Sequence, residues 1–304
     1  RHAYYKNLLS GGSCDTMKYE VTQTNTYHYE LPVRQSINQF RLRPLDDQQQ
    51  TLHSYNVKIN PASHTYGHTD YWGNYVETFY LWGEHQDLEI ETVSKVEVQP
   101  LEIDVTLPLT DEQRKELLSH SFKQAHTEFM IETDYTTISH HVMEAETEGL
   151  WKNAQDELEF ALKLNEHIYS TMEYVSGATN VQTTAEKILT HRTGVCQDYT
   201  HLMLALCRYH GIPARYVSGY IYSGENSAFR GDAATHAWIE VKFPGLPWIG
   251  LDPTNNVVAA EQHIRIAVGR DYRDISPLKG VYIGGAHTLN VSVGVKNLEE
   301  RVSG

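Results

Sequence analysis

The stretch from Gly194 to Asp252 constrains the fold more than any other part of the chain. Tyr199, Leu202, Met203, Leu206 and Tyr209 recur at three- and four-residue steps, the period of an amphipathic helix. Gly211 and Pro213 then supply stop signals. Three short segments rich in β-branched and aromatic residues follow: 214–223, 233–243 and 248–251. A polar loop with Gly224, Asn226 and Gly231 separates the first two, and Pro244-Gly245 separates the last two. This order predicts one helix packed on a three-stranded antiparallel meander.

Chemistry-bearing residues sit at the joints of that unit. Cys196 falls in the predicted first helical turn, within Thr193-Gly194-Val195-Cys196-Gln197-Asp198. The partial positive charge of a helix N-terminus favours a thiolate there. The same turn has free backbone N–H groups that could hold an oxyanion. Gly194 is expected to let chain and substrate approach closely. His236 opens the second predicted strand, forty residues after Cys196, and Asp252 closes the third, sixteen residues later. Antiparallel pairing brings a strand's start and its neighbour's end to one edge of a sheet. A thiol needs a base, and the base needs a group to orient it. Cys196, His236 and Asp252 are therefore the candidate catalytic residues. Asp198 reads as a helix-start carboxylate, while His191 and His201 are rival bases.

Three segments carry a family resemblance. Gly194-Val195-Cys196-Gln197-Asp198-Tyr199, His236-Ala237-Trp238-Ile239-Glu240-Val241 and Asp252-Pro253-Thr254-Asn255 resemble the transglutaminase-like superfamily of papain-type thiol enzymes. Residues 211–220, 267–272 and 276–281 extend the resemblance to a bacterial subgroup of cysteine proteases with an N-terminal β-rich region. Tyr27-His28-Tyr29, Pro32-Val33 and Arg41-Leu42-Arg43-Pro44 look like that region. The resemblance implies an α+β fold: a papain/transglutaminase-like core, with a Cys-bearing helix on an antiparallel sheet, behind a small β-rich domain. It implies Cys196 as nucleophile, His236 as base and Asp252 as orienting acid. The backbone N–H of Cys196 would serve one arm of the oxyanion hole, and the second donor is unassigned. The implied activity is thiol-dependent acyl transfer, read as a cysteine protease or amidase acting on peptide or side-chain amides. A crosslinking or deamidating transglutaminase, and a protein-binding module with a vestigial site, remain alternatives.

Composition bounds the rest. With 304 residues the chain has room for roughly two domains of about 150 residues. The expected division is 17–100 for the β-rich domain and 101–304 for the catalytic domain. Residues 1–16 read as a non-native leader or a misassigned upstream start, since Met17-Lys18-Tyr19 looks like a natural beginning. That leader lacks an apolar signal core. The net charge of −14 argues against a nucleic-acid partner. No apolar run approaches the roughly 20 residues that span a bilayer. Three cysteines, Cys14, Cys196 and Cys207, form no disulfide framework and fit a reducing, cytoplasmic setting. Cys207 reads as a buried apolar residue. Cys207 and His210 have C-x-x-H spacing and His64 and His68 lie four apart, but no second Cys pair completes a zinc set. Neither metal nor cofactor is expected, and the partner is a peptide or protein substrate.

Outside the core, Thr110 and Gln113 read as a capping box, and 150–175 as one long helical stretch. Gly73-Asn74 marks a hairpin and 282–295 a last strand. Trp72 and Trp82 are expected to pack.

Overall fold

The computed structural model describes residues 16–101, 103–177, 183–224, 230 and 235–299. Leader residues 1–15 with Cys14, and Asn226, Gly231 and Ala233, lie outside them.

The described residues open with four strands: β1 (Met17–Phe40), β2 (Gln50–Asn60), β3 (Thr65–Thr69) and β4 (Tyr75–Val98). β1 and β4 pair antiparallel from Met17↔Val98 to Phe40↔Glu77, with register shifts between His28 and Gln35. The period-two pattern explains their extended form. Tyr19, Val21, Gln23 and Asn25 are buried, while Thr22, Thr24 and Thr26 between them are half-exposed. β2 and β3 both pair with β4. The β3–β4 turn is held by Asp70, whose Oδ1 accepts from Trp72 N at 2.9 Å and Asn74 N at 3.0 Å. Gly73 sits there at φ +88°, a conformation that favours glycine.

The described residues between 100 and 110 have no helix or strand, yet Val105 and Leu109 are buried. Then come α1 (Asp111–Leu118), α2 (His120–Ala125), α3 (His140–Asn153) and α4 (Glu157–Thr171). The expected capping box is present: Gln113 N donates to Thr110 Oγ1 at 3.2 Å and Thr110 N to Gln113 Oε1 at 2.9 Å. The stretch 150–175 is not one helix. α3 stops at Asn153, and Asp156 caps α4, accepting from Glu159 N at 2.8 Å while its other oxygen accepts from Leu109 N at 2.9 Å. An Asp that bonds nearby N–H groups starts helices rather than continuing them.

β5 (Glu173–Tyr174), α5 (Ala185–His191) and β6 (Thr193–Gly194) lead into α6 (Cys196–Tyr209). β7 (Ala214–Ile221), β8 (Thr235–Lys242), β9 (Trp248–Asp252), β10 (Val257–Ala259) and β11 (His263–Gly269) form a second sheet in the order β10-β9-β8-β7-β11. β7, β8 and β9 are the antiparallel neighbours that the meander pattern predicted. α6 shares one buried core with the sheet: Tyr199, Leu202, Met203 and Leu206 with Ile239, Val241 and Leu251. That core also includes Tyr19, Val21, Val96 and Val98 of the first sheet.

After α7 (Tyr272–Ile275) the chain returns to the first sheet as β12 (Leu278–Tyr282) and β13 (His287–Asn297). The expected last strand, 282–295, is β13, which starts at His287 after bends at 283–285; β12 ends at Tyr282, where that span begins. Both pair with β1, from Phe40↔Leu278 and from Tyr19↔Asn297. A boundary at residue 100 places these strands with the catalytic domain, whereas their hydrogen bonds run to the N-terminal sheet. Trp72 packs as expected, 5.5 Å from the Phe129 ring with the Arg270 guanidinium over its face. Trp82 does not; it is 79% exposed. Among the described residues no helix is long and apolar enough to cross a membrane.

Candidate active site

Cys196 stands at the first position of α6, and the preceding turn is held from both sides. Glu173 N donates to Arg192 O at 2.8 Å and Val175 N to Gly194 O at 3.0 Å, tying β5 to β6. The Asp198 carboxylate accepts from Val195 N at 2.8 Å. Asp198 thus braces the helix start, as its position suggested. A Cβ on Gly194 would stand 2.7 Å from Asp198 Cβ and 2.8 Å from Asp198 Oδ2. Glycine here makes room for the bracing carboxylate.

His236 and Asp252 meet at the edge of the second sheet. His236 Nε2 donates to Asp252 Oδ2 at 2.7 Å, and both side chains are buried. The Asp252 carboxylate is heavily hydrogen-bonded. Oδ1 accepts from Thr254 N at 2.9 Å and Asn255 N at 3.2 Å, and Oδ2 from Asn255 Nδ2 at 2.8 Å and His263 Nε2 at 3.3 Å. Burial alone would raise this carboxyl's pKa, but the His236 charge and these hydrogen bonds hold it low. Burial would likewise favour neutral His236, yet Asp252 and the Cys196 side chain, which hydrogen-bonds to it, push its pKa well above the ordinary range. With Nε2 committed to Asp252, Nδ1 is the nitrogen left for the thiol. Trp238 stacks at 6.1 Å and 27° on the imidazole and fixes its plane.

Cys196 and His236 open into a cavity of ≈ 290 Å³. Tyr216, Ser218 and Tyr272 line it from the catalytic layer. Gln23 and Asn25 of β1 and Leu289 and Val291 of β13 line it from the first sheet. All three sequence-predicted residues are thus brought together, Asp252 through His236.

The rival residues lie elsewhere. His191 is exposed and bonds Lys187 O through Nδ1 at 2.7 Å. His201 is buried against the Tyr135 ring at 4.8 Å, accepts from Tyr272 N at 3.2 Å, and burial pulls its pKa down to about 3. Cys207 is fully buried, and burial pushes its thiol up to about 12. His210 stacks on Trp151 at 4.3 Å and bonds Thr147 Oγ1 at 2.7 Å, so the C-x-x-H pair is a packing feature. His64 and His68 are exposed.

Sequence reasoning missed His263 and Asn255 as partners of Asp252. Asn255 lay within a quoted motif, so its bond to Asp252 could have been read as a turn contact. His263 carries no local signal; pairing of β11 with β7 brings it in. His236, Asp252 and His263 place one ligand atom each within 4.8 Å of one another, the spacing of a metal cluster. As they stand, both histidine Nε2 atoms bond Asp252 Oδ2 directly, at 2.7 and 3.3 Å. A metal there would have to displace the donors on Asp252.

Residues 145–253 match the transglutaminase-like superfamily core, and 19–97 the bacterial transglutaminase-like N-terminal region. An uncharacterized Mycobacterium leprae protein is 34% identical over 284 residues, covering 92% of this chain and 99% of its own. The chain belongs to the transglutaminase-like superfamily. A solved structure described as a candidate cysteine protease, from Cytophaga hutchinsonii, shares the fold of this member over 94% of this chain and 92% of that one, with a TM-score of 0.71 at 23% identity. A Pseudomonas aeruginosa protein-glutamine gamma-glutamyltransferase is 34% identical over 108 residues, 33% of this chain and 16% of that protein. The two matched regions hold Cys196, His236, Asp252 and Asn25; His263, β12 and β13 lie beyond them.

Proposed function

We propose that this protein is a thiol-dependent acyl-transfer enzyme that hydrolyses peptide or side-chain amides through Cys196, His236 and Asp252. The carrying observation is that His236, paired in the interior with Asp252, lines one cavity with Cys196 at a helix start. The raised pKa of His236 supports a resting state in which Nδ1 already holds the proton given up by Cys196, leaving the sulfur as a thiolate beside the imidazolium.

The Cys196 sulfur attacks the carbonyl carbon, and the π electrons move onto oxygen. The Cys196 backbone N–H stabilises that oxyanion. Collapse expels the amine, which takes the proton from His236 Nδ1, and leaves a thioester. Water then gives its proton to His236 and attacks the thioester. The acid departs and sulfur regains its electron pair. Asp252 keeps Nε2 protonated and the ring in place throughout.

Transfer to a second amine in place of water is the alternative, motivated by the similarity to the Pseudomonas protein-glutamine gamma-glutamyltransferase. The test is incubation with glutamine-containing and unmodified peptide libraries, with and without a primary amine, read by mass spectrometry. Hydrolysed products that are insensitive to the amine and lost in Cys196→Ala support the proposal. Amine adducts as the main product shift it to transamidation. Products equal in wild type and Cys196→Ala overturn it.

A further inference from the structure

β1 carries two amides at positions that face the interior. Tyr19, Val21, Gln23 and Asn25 alternate on its buried side, and Gln23 and Asn25 are 2% and 0% exposed. Buried amides are unfavourable unless hydrogen-bonded, and here a directed chain supplies most of the bonds. The Tyr220 hydroxyl donates to Gln23 Oε1, and Gln23 Nε2 donates to Asn25 Oδ1 at 2.9 Å. Tyr220 is itself buried and its hydroxyl keeps its proton, which fixes the direction of the chain. The chain ends on Asn25 Nδ2, which has no partner among the described residues.

Asn25 lines the cavity that holds Cys196 and His236. Val291, its register partner on β13, and Leu289 line the same cavity, and both are exposed apolar side chains. Apart from His236, no charged side chain among the described residues lines it. A carboxylate or ammonium there would lose its hydration without gaining a dedicated partner. A neutral carbonyl needs only a donor.

We propose that Asn25 is a substrate-binding residue: its Nδ2 donates to a backbone carbonyl of a neutral peptide whose apolar side chain rests on Leu289 and Val291. The N-terminal sheet then forms one wall of the substrate site rather than an appended module. This inference rests on the reading of Cys196 as nucleophile.

The test compares two probes on the full chain. A blocked leucyl-leucyl fluoromethyl ketone must seat its peptide carbonyl to react. Methyl methanethiosulfonate has no carbonyl. Asn25→Leu is apolar at similar volume and loses the donor. It should react with the ketone about tenfold more slowly, the worth of one hydrogen bond in a closed site, with thiosulfonate rates at Cys196 unchanged. Unchanged ketone rates overturn the inference. An equal fall for both probes does so too, because Asn25 would then only support the fold around Cys196. A substrate-side change gives the same answer without any variant: replacing the peptide bond that carries the leucyl carbonyl by a neutral trans-alkene isostere should slow wild-type labelling about tenfold, and no slowing contradicts the contact. If neither probe labels Cys196 in the wild type, the nucleophile reading falls and this subsite falls with it, a result distinct from failure at Asn25 alone.

Discussion

At Asp252 a single buried carboxylate receives N–H groups from His236, His263, Thr254 and Asn255. That concentration of donors keeps it ionised, and its charge holds the proton on His236. The pH consequences run in opposite senses. His236 binds a proton more tightly when folded, so its contribution to stability is complete below the unfolded value of about 6.5 and is lost as pH rises through the folded one. Asp252 contributes above its unfolded value of about 3.9 and loses that contribution as pH falls through its lower folded one. Asp252→Asn keeps the shape and removes the charge. It should lower the His236 titration midpoint, followed by NMR of the imidazole nitrogens; an unmoved midpoint would show that Asp252 does not hold the proton. The same variant should slow turnover by about 10²-fold or more, since an imidazole free to turn or change tautomer is a poor base.

The central elements make sharper demands than the motifs alone. Gly219 on β7 faces Ile264 of β11 so closely that a Cβ would stand 2.1 Å from the Ile264 carbonyl oxygen and 2.6 Å from Trp238 Cη2. Gly219→Ala should cost about 1–3 kcal/mol in urea unfolding, because a backbone carbonyl cannot move aside. It should also slow Cys196 labelling by disturbing Trp238, which stacks on His236. On α6, His201 is buried neutral with its pKa pulled down to about 3. The unfolded chain takes up a proton below about 6.5 that the folded chain refuses, so stability falls as pH drops from there. For His201 the slope approaches about 1.4 kcal/mol per pH unit. His201→Phe, which keeps the ring against Tyr135, should show a smaller loss of urea midpoint between pH 7 and pH 5 than wild type; equal losses would contradict the assignment. These elements also show what was legible beforehand. α6 and the meander could be read because their period and stop signals are local. Cys196, His236 and Asp252 could be read because each sits at an element's end beside a recognisable turn. Asn25 and His263 could not, since pairing between strands far apart in sequence brings them to the site. The break before Asp156 was missed because an apolar period persists across it while the Asp side chain caps a new helix.

Across the whole molecule the two sheets depend on one another. Tyr19, Val21, Val96 and Val98 share a core with α6 and the second sheet, and β12 and β13 have β1 as their hydrogen-bonding neighbour. Residues 101–304 expressed alone should therefore be less soluble and melt less cooperatively than the full chain by circular dichroism. An equally soluble fragment with full Cys196 reactivity would make the N-terminal sheet a separate module and remove the basis for a shared substrate wall. The first and last described strands, β1 and β13, pair in one sheet. In the proposed function Cys196, activated by His236, is the reactive thiol. Iodoacetamide labelling, resolved by residue with mass spectrometry across pH, tests it most directly. Cys196 should react far faster than fully buried Cys207 in the native protein, and His236→Ala should slow it about 10²–10⁴-fold while the circular-dichroism melt stays cooperative. Faster labelling of Cys207, or wild-type labelling of Cys196 in a folded His236→Ala protein, would contradict the account.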